Sequence, residues 1–186
     1  MTDSTQWRRY SGDRSREGKM ASRAERKQLN KHWLRKWLKG QPHFVIGGKD
    51  DPYLLRWFVI PRNSFFNIYL HKFMRSDDDR ALHDHPWWFA SLILKGEYYE
   101  HRSDGTRRHR RAGSLAFRRP NTLHRVELVS DYQYELSPQM LWRRIENPTW
   151  TLLFTGPKIR NWGFACPKGW VGWEYFDHNN GCGEYA

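Results

Sequence analysis

Three histidines stand where their rings could share one ion. His83 and His85 flank Asp84 at the start of an apolar run. In an extended chain residues i and i+2 project to the same side, so two imidazoles face one point. A third, His124, opens another apolar run after the turn-like stretch Pro120-Asn121-Thr122-Leu123. Imidazole is a common ligand for zinc, iron, nickel and copper, so three converging rings would make a metal site. The competing reading is that an H-x-H pair is incidental, and spacing alone leaves both open.

The elements that must position these rings are read from periodicity. From about Ala21 to Lys39, Leu29, Trp33 and Trp37 recur at i, i+4 and i+8, and Gly40 closes the run. That is an amphipathic helix with an apolar stripe for the rest of the protein to cover. Its opposite face carries Arg23, Arg26, Lys27, Lys31 and Arg35. After Pro52 the helical period disappears. Short β-rich runs follow at 54–60, 65–74, 87–94, 98–102, 106–110, 114–117, 124–129, 149–155 and 171–176, which is the pattern of a sandwich or barrel. Asp104-Gly105 is the strongest hairpin signal, because a type I′ turn needs positive φ at both central positions. The organisation expected is a basic tail over 1–18, a basic amphipathic helix and linker over 19–50, a β-barrel over 51–176 and a flexible tail over 177–186.

Composition agrees with one compact domain of aromatic-rich β structure. The 186 residues include 11 Trp and are 16% aromatic, so large rings must supply much of the core. The net charge of +12 is uneven, since residues 1–50 hold 13 Lys and Arg against 5 Asp and Glu. An arm of that kind attracts polyanions, so nucleic acid or an acidic partner is a candidate beside plain solvation. Two cysteines, Cys166 and Cys182, make no disulfide framework, and no apolar run approaches the ~18 residues of a membrane span. No membrane association is expected, and a reducing cytoplasm is the expected compartment.

The wider pattern around the histidines resembles the two motifs of the cupin superfamily. The first is HDHPWWFASLILKG, from His83 to Gly96, and the second is GSLAFRRPNTLH, from Gly113 to His124. That resemblance implies an all-β fold, a double-stranded β-helix or jelly-roll barrel, here with an N-terminal amphipathic helix. It places one divalent metal in the barrel mouth on His83, His85 and His124. One departure is clear: cupins commonly carry a glutamate shortly after the second histidine, and here the chain reads Pro86-Trp87-Trp88-Phe89-Ala90. Three neutral ligands leave the charge of the ion uncompensated and favour an anionic, chelating ligand.

Within the superfamily the chain is similar to thiol dioxygenases of the cysteine dioxygenase type. The likeness lies in HDH with its following apolar strand, in Leu94-Lys95-Gly96-Glu97, and in Leu123-His124-Arg125-Val126-Glu127. It implies iron(II) as the metal, with zinc, nickel or manganese as other occupants, and oxygenation of a small or thiol-bearing substrate. The readings from other classes are a non-catalytic module that binds a ligand or nucleic acid, and a metal-dependent isomerase or epimerase. A homodimer is a further expectation from the resemblance. Strand alternation next to the histidines nominates Tyr69, His71, Tyr98 and Glu100 as substrate contacts. The carboxylates of Asp77-Asp78-Asp79 read as a solvated turn rather than a metal site, and Arg107-Arg108-His109-Arg110-Arg111 as a solvated edge strand with phosphate contact as the alternative.

Overall fold

The computed structural model describes residues 23–48, 50–77, 81–135, 141–176 and residue 182. The expected tail over 1–18 lies outside the described residues, as do Asp78, Asp79 and most of 177–186. Among the described residues two short helices, α1 (Arg23–Asn30) and α2 (Trp33–Leu38), precede thirteen strands. These are β1 (Phe44–Ile46), β2 (Leu54–Phe58), β3 (Asn67–Phe73), β4 (Phe89–Lys95), β5 (Glu97–Arg102), β6 (Arg107–Arg111) and β7 (Leu115–Arg118). The remainder are β8 (His124–Leu128), β9 (Ser130–Glu135), β10 (Leu141–Glu146), β11 (Thr149–Thr155), β12 (Gly163–Cys166) and β13 (Gly169–Gly172).

Two layers enclose the core. The first is an antiparallel sheet in the order β1-β2-β3-β11-β4-β7. The second has β6-β5-β8 on one side and the β12–β13 hairpin on the other. His83 joins the two parts of this layer, forming antiparallel bridges to His124 on β8 and to Phe164 on β12. The apolar interior between the layers includes Ile93 from the first and Tyr98, Val126 and Leu128 from the second, with Phe73 packed against them. This is the double-stranded β-helix expected of the sequence, with a helical N-terminal appendage.

The β4–β5 connection depends on Gly96, which has φ +83°, and a Cβ there would stand 2.7 Å from Thr149 Oγ1. That hydroxyl accepts from Glu97 N at 3.1 Å and donates to Glu97 O at 2.9 Å, so the glycine lets β11 hold the start of β5. The β5–β6 hairpin forms where Asp104-Gly105 predicts it, with a different turn. Gly105 N bonds to Arg102 O at 3.1 Å, which makes Ser103 and Asp104 the central residues and places Gly105, at φ 75°, just after them.

The single helix expected over 21–39 is broken in two among the described residues. The Asn30 side chain pairs with Arg62 in both directions at 3.0 Å, binding backbone outside the helix at the point where α1 ends. The apolar stripe still docks: Trp33 Nε1 and Trp37 Nε1 both donate to Phe58 O on β2. His43 ties the same junction, its Nε2 meeting Trp33 O at 3.1 Å and its Nδ1 accepting from Phe58 N at 3.2 Å.

At the other end of the chain Cys166 and Cys182 form a disulfide, a pairing the sequence did not suggest. Cys182 is buried with Ala81, Phe164 and Trp173, so an apolar pocket gives this tail position a reason to return to the barrel.

Candidate metal centre

Backbone pairing brings the three histidines together. His83 and His124 exchange both of their backbone hydrogen bonds, at 2.9 and 3.0 Å, and His85 N donates to Pro120 O at 3.0 Å. The turn that precedes His124 thus holds His85 directly. Asp84 projects to the other side, as alternation requires: Oδ1 accepts from Gly163 N at 2.8 Å, and Oδ2 takes Trp170 Nε1 at 3.0 Å together with Arg160. Its burial is structural, because it fastens the β12–β13 hairpin behind the site.

The donor atoms of His83, His85 and His124 lie within 4.8 Å of one another. Nε2 of His85 and Nε2 of His124 are 2.8 Å apart. Metal–imidazole bonds of about 2.0–2.1 Å fit that convergence, and the set is chemically suited to a divalent transition metal. Burial lowers the pKa of His85 well below the ordinary imidazole value, with the neighbouring His124 and His83 acting in the same direction. A neutral ring is the state a metal needs.

Two buried carboxylates stand behind the rings. Glu100 Oε1 lies 3.3 Å from His124 Nδ1, and Asp77 Oδ2 lies 3.8 Å from His83 Nδ1. Asp77 also accepts from Val126 N at 2.7 Å and from Tyr53 Oη, so this member of the acidic run is buried rather than solvated. Burial works against ionisation of Glu100, but the neighbouring His124 ring and the Arg118 guanidinium outweigh it and hold the carboxyl well below the usual carboxylate range.

A cavity of about 170 Å³ opens between the layers and has all three histidines in its wall. Apolar side chains such as Phe89, Val126, Leu153 and Phe164 line much of it, with Arg56, His71, Asp77, Ser91 and Tyr98 among the polar ones. Arg56 Nε donates to His71 Nε2 at 2.7 Å. Burial, helped by the Arg56 charge, lowers the His71 pKa well below 6.5, so this ring faces the cavity neutral. Tyr98 is pushed up to about 12, first by burial and then by Glu100, and stays a phenol. Trp87 also lines the cavity, and its buried Nε1–H has no hydrogen-bond partner among the described residues.

Of the four nominated substrate contacts, His71 and Tyr98 reach the cavity wall. Tyr69 is buried outside it, stacked on His71 at 5.8 Å with Arg56 over its ring at 5.0 Å. Glu100 sits behind His124 rather than on the cavity. Arg23, Lys27 and Arg35 are exposed on the helices, Lys31 is exposed in the turn between them and Arg26 is partly buried, all of them away from the cavity. Arg56 and Trp87 were not nominated. Arg56 shares a strand face with the apolar Leu54 and Phe58, but both faces of β2 are buried, so alternation gave no lead to it.

No known protein family and no curated protein sequence matches the chain. The fold is similar to that of several solved structures. A double-stranded β-helix protein from Klebsiella pneumoniae is 17% identical over 60% of this chain and 83% of its own, with a TM-score of 0.41. An RmlC-like cupin from Shewanella frigidimarina is 16% identical over 56% and 77%, with a TM-score of 0.39. An RmlC-like cupin family protein from Methanocaldococcus jannaschii is 11% identical over 60% and 87%, with a TM-score of 0.41. At these identities the likeness is one of fold and brings no activity with it. No helix among the described residues is long and apolar enough to cross a membrane.

Proposed function

We propose that the protein is a metal-dependent cupin enzyme that acts on a small anionic substrate, with iron(II) oxygenation of a carboxylate- and thiol-bearing molecule as the reaction. The observation that carries this reading is the shared cavity: three histidine rings with converging donor atoms and the Arg56 guanidinium line one space. A bound divalent metal would supply Lewis acidity there and, as iron(II), a site for dioxygen.

The chain's own residues set which substrate fits. Around the cavity, the charges of a divalent ion, Arg56, Arg118 and Arg110 exceed those of Asp77 and Glu100, so a ligand entering it is favoured as an anion. Arg56 offers a charged donor, and Trp87 Nε1–H, which has no partner among the described residues, offers a neutral one. A carboxylate would satisfy both kinds of donor, while a softer group on the same molecule reaches toward the histidines. The apolar wall excludes water, which strengthens each of these contacts. A volume of about 170 Å³ admits a molecule of small-metabolite size and excludes a polymer.

The test is oxygen consumption by iron-loaded protein with ligands that differ only by a carboxylate, such as cysteine and cysteamine. The wild-type chain should turn over the carboxylate-bearing member preferentially. Arg56→Met should raise its KM by about 10–100-fold, the equivalent of one charge-assisted hydrogen bond. Absence of oxygen uptake across such ligands, with metal-dependent isomerisation of a sugar phosphate instead, would replace the oxygenase by an isomerase in the same cavity.

A further inference from the structure

We propose that Glu100 is a positioning residue for the metal centre: clamped by Arg118 and Arg110, its carboxylate accepts the Nδ1–H of His124 and holds that ring in the tautomer that turns Nε2 toward the ion. The inference rests on the three-histidine reading and adds to it a residue outside the cavity.

Sequence register places the pair. In the β5–β8 ladder Glu100 stands opposite Val126, and His124 stands opposite Arg102. Glu100 and His124 are therefore diagonal neighbours on one face, a separation that long side chains span. Oε1 reaches to 3.3 Å from Nδ1. That nitrogen is buried with no well-formed hydrogen bond, and the carboxylate is an acceptor close enough to serve it. The present alignment falls short of a linear bond, so the contact acts chiefly through charge.

The arginines keep the carboxylate there. Arg118 on β7 grips both oxygens, Nε on Oε1 at 2.7 Å and Nη2 on Oε2. Arg110 on the edge strand β6 adds Nε on Oε2 at 3.2 Å. A bidentate guanidinium fixes orientation as well as position. An acid buried among cations is a poor way to stabilise a core, because apolar residues of similar volume do as well or better. Orientation of a ligating ring is a role that an apolar residue cannot fill.

The arrangement also gives the metal-free site a direction. With the His124 proton on Nδ1, its Nε2 has a free lone pair, and the 2.8 Å contact between the two Nε2 atoms must be donated by His85. An ion held through both Nε2 atoms would require the His85 proton to move to Nδ1 of its own ring, while His124 would already be in the ligating tautomer.

Long-range proton–nitrogen NMR on the full, metal-free chain near pH 8, above the ordinary imidazole pKa of about 6.5, reads each ring's tautomer. The expected result is an Nδ1–H tautomer for His124 in the wild type that is lost in Glu100→Gln. Cobalt(II) affinity, measured by competition with a chromophoric chelator, should fall by about 10–100-fold in that variant. Glu100→Asp keeps the charge between the arginines but withdraws it from the ring, and should retain the fold with an intermediate loss of affinity. An Nε2–H tautomer at His124 in the wild type would overturn the proposal without any variant. So would a folded Glu100→Gln that binds cobalt as tightly as the parent. A wild-type chain that takes up no cobalt, yet shows an Nδ1–H that depends on Glu100, would instead overturn the metal reading beneath it.

Discussion

Nε2 of His85 meets Nε2 of His124 at 2.8 Å although the two residues are 39 apart in sequence, and backbone pairing of the segments around them brings them together. His85 is held by the Pro120 carbonyl at the turn that leads into His124, and His83 is paired directly with His124. The three ring positions are thus one structural unit, set by β-bridge register rather than by side-chain packing. Fold stability and the geometry of the site are coupled for that reason.

Burial lowers the pKa of His85 in the site and, outside the ligand set, of His43 and His71, whose hydrogen bonds are expected to make the fold pH-sensitive. His43 Nδ1 accepts from Phe58 N and His71 Nε2 accepts from Arg56, so each ring must stay neutral to keep its bond. Burial lowers both pKa values below 6.5. Below that value the unfolded chain takes up protons that the folded chain refuses. The stability these rings contribute is therefore present above about pH 6.5 and is lost as pH falls toward their folded pKa values, at up to about 1.4 kcal/mol per pH unit for each. Urea midpoints of metal-free protein between about pH 8 and pH 5 should fall on the acid side, and His71→Gln should flatten part of the slope. A midpoint constant across that range would contradict the account.

The N-terminal helices are fastened by indole donors rather than by their charged face. Changing Trp33 and Trp37 together to Phe removes both donors to Phe58 O while keeping apolar rings, and should cost about 1–3 kcal/mol. Limited proteolysis should then cut within 23–38 before it cuts the barrel. Changing Arg23, Arg26, Lys27, Lys31 and Arg35 to Gln should alter stability little, most of these side chains being exposed. Any affinity of the full chain for duplex DNA at low salt should drop in that variant, as counterion release requires of exposed cations.

The Cys166–Cys182 bond closes a loop across a sequence separation of 16, for which chain entropy gives roughly 3 kcal/mol. Reduction, or Cys182→Ser, should lower the unfolding free energy by about that amount. Mass spectrometry of intact protein before and after alkylation establishes the bond itself. Two alkylatable thiols in unreduced, folded protein would show that it does not form.

The site was legible where chemistry and alternation coincide. His83 and His85 flank an Asp that alternation sends to the opposite side, and the Pro120 turn marked His124, but spacing left an incidental pair open and it was the resemblance to the two cupin motifs that joined the three rings. Arg56 was harder to see because β2 is buried on both faces, with Trp57 packed outward on Trp150 and its indole bonded to Gly40 O. Alternation there does not separate inside from outside. Asp77 was hidden in a run of three acids that composition alone reads as solvated. The strands β9 and β10 gave no signal, since the described side chains along them are mostly exposed, with Tyr134 and Trp142 meeting edge to face at a centroid distance of 5.3 Å. The helix break needed the Asn30–Arg62 pairing, a long-range contact that no local pattern encodes.

Metal stoichiometry tests the central claim most directly. Full-length protein loaded with iron(II) under anaerobic conditions, or with zinc(II), and passed through a desalting column should retain one ion per chain by elemental analysis. The variant with His83, His85 and His124 all changed to Ala should retain none, while its circular dichroism stays that of a β-barrel. One ion per chain in the triple variant, or none in the wild type, would contradict the account.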